Sequence, residues 1–310
     1  MHDHEATERW LATPGARRIA RGDAEYPAQL AALNDAPPEL YALGDLSLLR
    51  RPQVAVVGSR HPTAAGQRIA AQITRDLVGA GLAITSGLAR GIDAAAHEAA
   101  LAAGGATIAI CGCGLDICYP REHRGLFDRI AGHGLLLSEF PPGTPPRAPH
   151  FPQRNRIISG LSRGVVVVEA AADSGSLITA RRAAVQGREV FAVPGSPLNP
   201  LAAGCLELLR EGATLVRGAA DILPEIGICI EVNAQTDQRV EQPGMPRQGS
   251  LRLDKDYEML LDALGFEPST IDALVERTGL AAGAVASMML ILELEGRVET
   301  RPGALYNRID

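Results

Sequence analysis

The sequence predicts an α/β fold in which a mostly parallel sheet carries helices on both faces. Short apolar runs rich in β-branched residues alternate with alanine-rich segments of helical length through the middle of the chain. Glycines follow the predicted helices, where a left-handed C-cap suits them. The 310 residues are 46% hydrophobic and 21% charged, which excludes a disordered chain, a collagen and a coiled coil.

Strands and helices are predicted in strict alternation, as a parallel sheet with crossover helices requires. The predicted strands are Val54–Val57, Leu82–Thr85, Thr107–Cys111, Leu135–Ser138, Val165–Val168, Val190–Val193 and Thr214–Val216. The predicted helices are Ala64–Gly79, Ile92–Ala103, Arg121–Gly132, Arg154–Leu161, Ser176–Gln186 and Leu201–Glu211. In such sheets ligands bind beyond the carboxyl ends of the strands, so the loops there are the first candidates for a site.

Two smaller parts flank this body, which spans residues 51–226. Residues 1–50 hold two helix-like stretches, Glu8–Leu11 and Pro27–Leu33, and are predicted to form a short N-terminal helical segment. Residues 227–250 lose periodicity and are rich in Gln, Asn, Pro and Gly, which is typical of a linker. Residues 251–310 contain three short helical patterns and a hairpin pattern, the outline of a winged-helix-like domain.

Charge is divided unevenly along the chain. Residues 51–218 hold 17 basic and 12 acidic residues although the whole chain has a net charge of -6, so a polyanionic partner is compatible with the body alone. The longest apolar run, Gly279–Leu292, is shorter than the roughly 20 residues that span a bilayer. Five irregularly spaced cysteines favour a reducing compartment. We therefore expect a cytoplasmic protein without a membrane partner.

Two glycine-containing turns are candidate anion sites. Gly58, Ser59 and Arg60 follow the first predicted strand of the body and precede a helix, whose N-terminus favours phosphate. The alternative is an ordinary strand-to-helix turn with a surface arginine. The second turn follows the fifth strand and consists of Ser174, Gly175 and Ser176, for which simple N-capping is the alternative.

The stretch from Phe151 to Arg156 is the most informative in the chain. It places an aromatic ring, the two guanidinium groups of Arg154 and Arg156, and the amide of Asn155 within six residues. Aromatic stacking combined with phosphate contacts holds single-stranded nucleic acid without reading its sequence. The alternative is that Phe151 fills the core and that the arginines form a solvated first helical turn.

Several enzyme signatures are absent from the sequence, which has no Walker-type phosphate loop and no complete GxGxxG. Cys111, Cys113 and Cys118 lack paired CxxC spacing, which favours buried thiols over metal ligands. Asp93 and His97 are four residues apart on a helix, where a capping acid and a packed histidine are favoured over a catalytic pair. Glu139 and Glu169 end two strands and either support hydrolysis or pair with arginines that line the site.

Read together, these stretches resemble the DNA-processing protein A family (DprA/Smf) over about residues 26–225. The stretches that carry the resemblance are Val54–Arg60, Ser86–His97, Gly114–Pro120, Leu137–Pro142, Phe151–Ser162, Val168–Arg181 and Gly187–Gly195.

The resemblance implies an extended Rossmann-like domain that forms a homodimer and binds single-stranded DNA cooperatively. It implies protection of incoming DNA in natural transformation, loading of the RecA recombinase and displacement of single-strand binding protein, without a cofactor, a metal or a catalytic residue. The positions that match the DNA pocket of the family are Gly58, Ser59, Arg60, Phe151, Arg154, Asn155, Arg156, Ser174, Gly175 and Ser176.

The sequence also departs from the family pattern. The N-terminal helical segment is truncated, and Leu206 stands where the family has an asparagine. Leu208 and Leu209 nearby are the expected dimer contacts. The predicted recognition helix, Leu280–Glu295, contains no Lys or Arg, so we expect this module not to bind duplex DNA.

The alternative function is a nucleotide-processing enzyme related to the lysine-decarboxylase-like phosphoribohydrolases. These enzymes share a Rossmann-like sheet with strand-end carboxylates, so Glu139 or Glu169 would be the catalytic candidates. Their P-G-G-x-G-T signature is missing, because the stretch that begins at Val193 reads Val-Pro-Gly-Ser-Pro.

Overall fold

The computed structural model describes residues 4–228, 255–265 and 268–309. The chain divides into two compact units, residues 1–232 and 233–310. The predicted linker, residues 227–250, lies outside the described residues from position 229 onward.

The first unit alternates strands and helices along most of its length. Its elements in chain order are α1 (His4–Leu11), β1 (Ala16–Ala20), α2 (Ala28–Ala31), β2 (Glu39–Gly44), β3 (Gln53–Gly58), α3 (Ala64–Gly79), β4 (Ala83–Ser86), α4 (Ile92–Ala102), β5 (Thr107–Ile110), α5 (Arg124–His133), β6 (Leu135–Ser138), α6 (His150–Leu161), β7 (Gly164–Val168), α7 (Gly175–Val185), β8 (Glu189–Ala192), α8 (Ala203–Arg210), β9 (Thr214–Leu215) and α9 (Ala219–Ile222).

These strands form one sheet with the order β1-β2-β6-β5-β4-β3-β7-β8-β9. All neighbours from β6 to β9 are parallel, whereas β1 and β2 are antiparallel additions at one edge. The predicted fold class is therefore confirmed. The strand order reverses between β3 and β7, so a crevice opens beyond the carboxyl ends of these two strands.

Strand β3 shows why this sheet is buried on both faces. Val54 and Val56 pack into the apolar cluster on one face, and Ala55 and Val57 pack into the cluster on the other. Alternation of side chains along a strand sends successive residues to opposite faces, so a strand covered on both sides needs a continuous apolar run. The site residues thus stand on a rigid base.

The N-terminal segment differs from the helical prediction. It contains the helices α1 and α2, but also the strands β1 and β2. Ala16 of β1 pairs with Leu43 of β2, and Tyr41 of β2 pairs with Ser138 of β6. The partner strand β6 lies far along the chain, so local periodicity could not reveal that residues 39–44 complete a sheet.

The second unit forms a winged helix, as predicted. Its elements are α10 (Lys255–Leu264), β10 (Ser269–Thr270), α11 (Ile271–Thr278), α12 (Ala282–Leu294), β11 (Val298–Arg301) and β12 (Leu305–Arg308). The three strands form a sheet in the order β10-β12-β11. This unit has its own core, which includes Leu260, Leu274, Met289 and Val298.

In the described part of the chain, no single helix is both long enough and apolar enough to cross a membrane. Only α11 and α12 counted together reach the required length and composition, and they meet at an angle of 114°.

Candidate functional site

A crevice of about 510 Å³ opens at the carboxyl ends of β3 and β7. The strand ends, the N-terminus of α6 and the N-terminus of α7 form its walls. Every predicted binding residue except Arg156 lines it, namely Gly58, Ser59, Arg60, Phe151, Arg154, Asn155, Ser174, Gly175 and Ser176.

Gly58 and Arg60 build the β3 side of the crevice. Gly58 approaches β7 so closely that a Cβ atom would overlap the carbonyl oxygen of Val168. The Ser59 Oγ accepts a hydrogen bond from the His61 amide at 3.1 Å, which closes the turn. The side chain of Arg60 is exposed and makes no hydrogen bond or ion pair with any residue that the structure describes. Arg60 is therefore available to an anion.

The helix after this turn offers less to a ligand than the sequence suggested. Helix α3 begins only at Ala64, and Glu169 occupies its N-terminus. The Glu169 carboxylate accepts hydrogen bonds from the Thr63 amide at 2.7 Å and from the Thr63 hydroxyl. A protein carboxylate thus already satisfies this positive helix end. On this side Arg60, rather than the helix end, is the group available to an anion.

The N-terminus of α7 faces the crevice from the β7 side. Ser174 is its N-cap, and the Ser174 Oγ accepts a hydrogen bond from the Ser176 amide at 3.4 Å. The two serine hydroxyls are 2.7 Å apart and hydrogen bonded. The N-capping alternative is therefore correct for Ser174, and it is compatible with a site, because the same first turn lines the crevice.

Helix α6 brings Phe151, Arg154 and Asn155 to the crevice because positions i, i+3 and i+4 share one helix face. The Phe151 ring is partly exposed and lines the crevice. Arg154 lies beneath it, with the guanidinium carbon 5.9 Å from the ring centroid. The Asn155 amide nitrogen donates a hydrogen bond to the Gly175 carbonyl oxygen at 3.3 Å, which ties α6 to α7.

Arg154 is buried and used within the protein. Its guanidinium donates hydrogen bonds to the carbonyl oxygens of Gly87, at 2.6 Å, and of Ile110. Burial lowers the pKa of Arg154, the charge of Asp93 opposes this shift, and the charge of Arg60 adds to it. Burial also raises the pKa of Asp93, and Arg154 opposes that shift. The two buried groups therefore influence each other electrostatically, and of the two it is Arg154 that lies against the Phe151 ring.

The assignment of Arg156 to the DNA pocket needs correction, because its guanidinium does not line the crevice. It forms a two-pronged ion pair with Glu139, with nitrogen–oxygen distances of 2.6 and 2.8 Å. Its Nε also donates to the Asp35 carbonyl oxygen at 2.9 Å. The guanidinium is largely buried by these partners and connects α6 to the N-terminal segment. Glu139 thus pairs with an arginine as expected, but with one that does not line the crevice, and Glu169 bonds Thr63 instead of an arginine.

The assignment of Leu208 to a dimer contact also needs correction. Leu208 belongs to the core of the first unit and is 4% exposed, so its side chain is not on the surface of the chain. Leu209 packs partly against the same core. Leu198 and Leu215 are the leucines with the most exposed side chains in this part of the unit.

Asp93 and His97 have separate hydrogen-bond partners in this fold. The Asp93 carboxylate accepts hydrogen bonds from the amides of Gly87 and Ala89, and the His97 Nδ1 lies 2.7 Å from the Thr107 hydroxyl. Burial lowers the pKa of His97 to about 3. Among the described residues no group of His, Cys, Asp and Glu could hold a metal ion.

A second, smaller cavity lies beside the crevice, and no sequence pattern predicted it. It has a volume of about 180 Å³ and shares Arg60, His61, Arg154 and Phe151 with the crevice. Tyr119 and Arg90 line only this cavity. Both lie in stretches that carry the family resemblance, which was the available signal, but neither stands out by residue type or spacing.

A doubly wound sheet with an aromatic ring, an exposed arginine and a helix N-terminus at its switch point is the arrangement of α/β proteins that bind ligands at the carboxyl ends of their strands. Comparison with known proteins specifies the class further. Residues 17–227 match the family model of DNA recombination-mediator protein A, and residues 245–304 match that of the DprA winged helix domain. The chain belongs to the DNA recombination-mediator protein A family, which confirms the resemblance.

Similar proteins cover both units. Protein Smf of Escherichia coli is 42% identical over 295 residues, which is 95% of this chain and 78% of that protein. The DNA processing protein DprA of Streptococcus pneumoniae is 51% identical over 200 residues, 64% of this chain and 71% of that one.

Solved structures match the first unit. The crystal structure of DprA from Streptococcus pneumoniae aligns with a TM-score of 0.66 at 49% identity, covering 67% of this chain and 74% of that chain. DprA from Helicobacter pylori, whose structure describes a single-stranded DNA binding mode, aligns with a TM-score of 0.62 at 32% identity, covering 68% and 95%.

Proposed function

We propose that this protein is a non-catalytic binder of single-stranded DNA. It protects incoming strands in natural transformation and loads the RecA recombinase onto them, and it acts in the cytoplasm as a homodimer that displaces single-strand binding protein. One observation carries the proposal. The exposed Arg60, the partly exposed Phe151 ring and the N-terminus of α7 line a single crevice.

These groups suit an unpaired strand of any sequence. Arg60 and the first turn of α7 contact phosphate, which is the same in every nucleotide, and Phe151 stacks on a base, which tolerates all four. The close backbone packing at Gly58 and the buried, hydrogen-bonded Arg154 hold the turn and the ring in place before the strand binds, which lowers the entropic cost of association.

Among the predicted arginines, Arg60 carries the phosphate contact. Arg154 donates its hydrogen bonds to carbonyl oxygens, and Arg156 pairs with Glu139. The role of both is to build the site. Membership in a recombination-mediator family supports the mediator role, and RecA loading and the homodimer are what the sequence resemblance implies.

The first test is the salt dependence of binding. Arg60→Ala should weaken binding of an oligo(dT) and reduce the slope of log affinity against log salt by about 0.7, because one phosphate contact is lost. Fluorescence anisotropy at four salt concentrations measures both. The matched control is Arg75→Ala on α3, where Arg75 is exposed and bonded only to Gln72. If both variants behave like the parent, Arg60 is not a phosphate contact.

The second test separates stacking from charge. Phe151→Ala should cost about 1–3 kcal/mol of binding free energy while the salt slope stays the same, because stacking releases no counterions. The same anisotropy titrations report this. If the double variant Arg60→Ala, Phe151→Ala binds oligo(dT) like the parent, the crevice is not the site.

The mediator role is tested by RecA-dependent ATP hydrolysis on DNA coated with single-strand binding protein. The parent protein should shorten the lag before hydrolysis, and the double variant should not. Incubation of the parent with nucleoside monophosphates should release no free base. Release of base would instead favour the phosphoribohydrolase alternative.

A further inference from the structure

The small cavity beside the crevice is built like a second nucleotide site. Its lining includes Arg60, Arg90, Tyr119 and Phe151, and it lies beyond the carboxyl ends of β4 and β5. Phe151 and Arg60 belong to both spaces. The two spaces are therefore neighbours that meet at the same ring and the same cation.

Tyr119 is the most exposed aromatic side chain at the site. It is 47% exposed, although an aromatic side chain normally gains by burying its apolar ring. The neighbouring Pro120 is buried, so the backbone at this point is anchored while the ring reaches outward. No packing requirement of the fold explains an exposed ring in this position.

The rings of Tyr119 and Phe151 are in contact. Their centroids are 5.4 Å apart and their planes are inclined by 33°. Phe151 in turn rests on Gly112, where a Cβ would come within 2.9 Å of the ring. The backbone below and the tyrosine beside it thus fix the phenylalanine, and the two rings form a short aromatic surface that continues from the crevice into the small cavity.

Three arginines line the small cavity, and of these Arg154 is buried and bonded to carbonyl oxygens, whereas Arg60 is exposed. Arg90 forms an ion pair with Glu122, whereas Arg60 makes no ion pair with any described residue. A phosphate bound to Arg60 would have the Phe151 ring on the crevice side and the Tyr119 ring on the other. Successive bases of an unpaired strand are joined through one phosphate, so this arrangement matches two adjacent nucleotides.

We propose that Tyr119 is a second base-stacking platform, which holds the nucleotide adjacent to the one on Phe151. This inference rests on the proposed binding of single-stranded DNA and extends it, because it assigns the small cavity to the same strand. The base stacks on the exposed Tyr119 ring, and Arg60 holds the phosphate between the two bases. Arg90 stays paired with Glu122 and positions the wall of the cavity.

A cycle of protein variants and abasic oligonucleotides tests the inference. The substrate is the shortest dT oligomer that binds one protein chain with full affinity. A set of such oligomers is synthesised, each lacking the base at one position. Each oligomer is titrated against the parent protein and against Tyr119→Ala. For one position, loss of the base should weaken binding to the parent about 5- to 150-fold. At that position Tyr119→Ala should bind the abasic and the intact oligomer equally well.

Two further variants separate the ring from its hydroxyl. Tyr119→Phe keeps the ring and should retain the coupling to the same abasic position, whereas Tyr119→Leu keeps apolar bulk without a π face and should lose it. The exposed Leu198 lies outside both cavities, so Leu198→Ala serves as a surface control that leaves every titration unchanged. Thermal unfolding of each variant verifies that the fold is intact.

The outcomes distinguish the two proposals. If Phe151→Ala is coupled to one abasic position and Tyr119→Ala to none, the second platform is wrong and the DNA-binding crevice stands. If the parent protein does not bind the intact oligomer, the proposed function itself fails. If Tyr119→Ala and Phe151→Ala are coupled to the same single position, the two rings hold one base and the inference is overturned.

Discussion

Position on helix α6 decides the role of each arginine. Residues two apart on an α-helix point about 200° away from each other, so Arg154 and Arg156 cannot both face the crevice. Arg154 turns inward beneath Phe151, and Arg156 turns toward Glu139 and the N-terminal segment. Residue type alone predicted two phosphate contacts, whereas the helical geometry leaves the exposed Arg60 as the available cation.

Substitution of Arg156 should therefore affect stability rather than binding. Arg156→Met leaves the Glu139 carboxylate buried without a counter-charge, and breaking a buried ion pair costs about 3–5 kcal/mol. Urea unfolding should show this loss, while the salt slope for oligo(dT) stays at the parent value. A stable variant with a slope reduced by about 0.7 would instead make Arg156 a phosphate contact.

His97 should make the protein sensitive to acid. Burial holds its pKa at about 3 in the folded chain, against 6.5 for an ordinary histidine. Between these values the unfolded chain binds more protons than the folded one, so stability falls as the pH drops below about 6.5. This single group contributes at most about 1.4 kcal/mol per pH unit within that window.

His97→Gln isolates this contribution, because glutamine can still bond the Thr107 hydroxyl but does not titrate. Urea unfolding of the parent and the variant at pH 7, 6, 5 and 4 should give curves that converge as the pH falls. Asp93, whose pKa burial raises, is present in both proteins and cancels in the comparison. Curves that stay parallel would contradict the effect.

At the scale of elements, the N-terminus of α3 depends on Gly66, which has no side chain. A Cβ on Gly66 would lie within 2.7 Å of the Glu169 carboxylate, which occupies this helix end. Glu169 itself has a left-handed backbone, with φ of 52°, as it leaves β7. The left-handed backbone of Glu169 and the missing side chain of Gly66 together allow the carboxylate to reach the helix end.

Gly66→Ala should consequently destabilise the protein, although alanine is the better helix former by about 1 kcal/mol. The matched control is Gly79→Ala at the other end of the same helix, where a Cβ would meet nothing within 4 Å. Thermal unfolding should show a lower Tm for the first variant and an equal or higher Tm for the second. A rise for both would mean that Glu169 moves aside without cost.

The sequence was most informative for elements with strong local patterns. The prediction for β6, Leu135–Ser138, matches the structure, and β3 and β7 differ by a residue at the ends, because continuous β-branched runs identify strands buried on both faces. Strand β1 was missed because its inward residues are only Ala16 and Ile19. A strand at the edge of a sheet needs few apolar residues, so its pattern is weak.

The candidate site was predictable to a similar degree. The turns at Gly58 and Ser174 and the ring of Phe151 were found because glycine, serine and aromatic residues at strand ends have a chemical meaning there. The burial of Arg154 was not predicted, since it depends on carbonyl oxygens at the ends of β4 and β5, those of Gly87 and Ile110. Tyr119 was missed for the same reason, because its contact with Phe151 is made through the fold.

At the scale of the whole molecule, the two units differ in charge as well as in core. Within the described residues, each of the two units has apolar core clusters of its own. Residues 251–310 hold 6 basic and 11 acidic residues, and helix α12 contains neither Lys nor Arg. A surface of this charge repels a phosphate backbone.

Removal of residues 251–310 should therefore leave the binding of single-stranded DNA unchanged. Anisotropy titrations of oligo(dT) with the shortened and the full chain should give equal affinity and equal salt slopes. The full chain should also show no added affinity for a duplex of the same length. A tenfold loss of oligo(dT) affinity on shortening would place part of the binding surface in the second unit.

The antiparallel strands β1 and β2 cover what would otherwise be an open flank of the sheet. Without them, the backbone amide and carbonyl groups of β6 would have no neighbour on that side, and an uncovered flank of this kind recruits strands from other molecules. Trimming the chain up to residue 45 would thus do more than shorten it. The shortened protein should be prone to aggregate through the exposed edge of β6, even with every proposed DNA-contacting group intact.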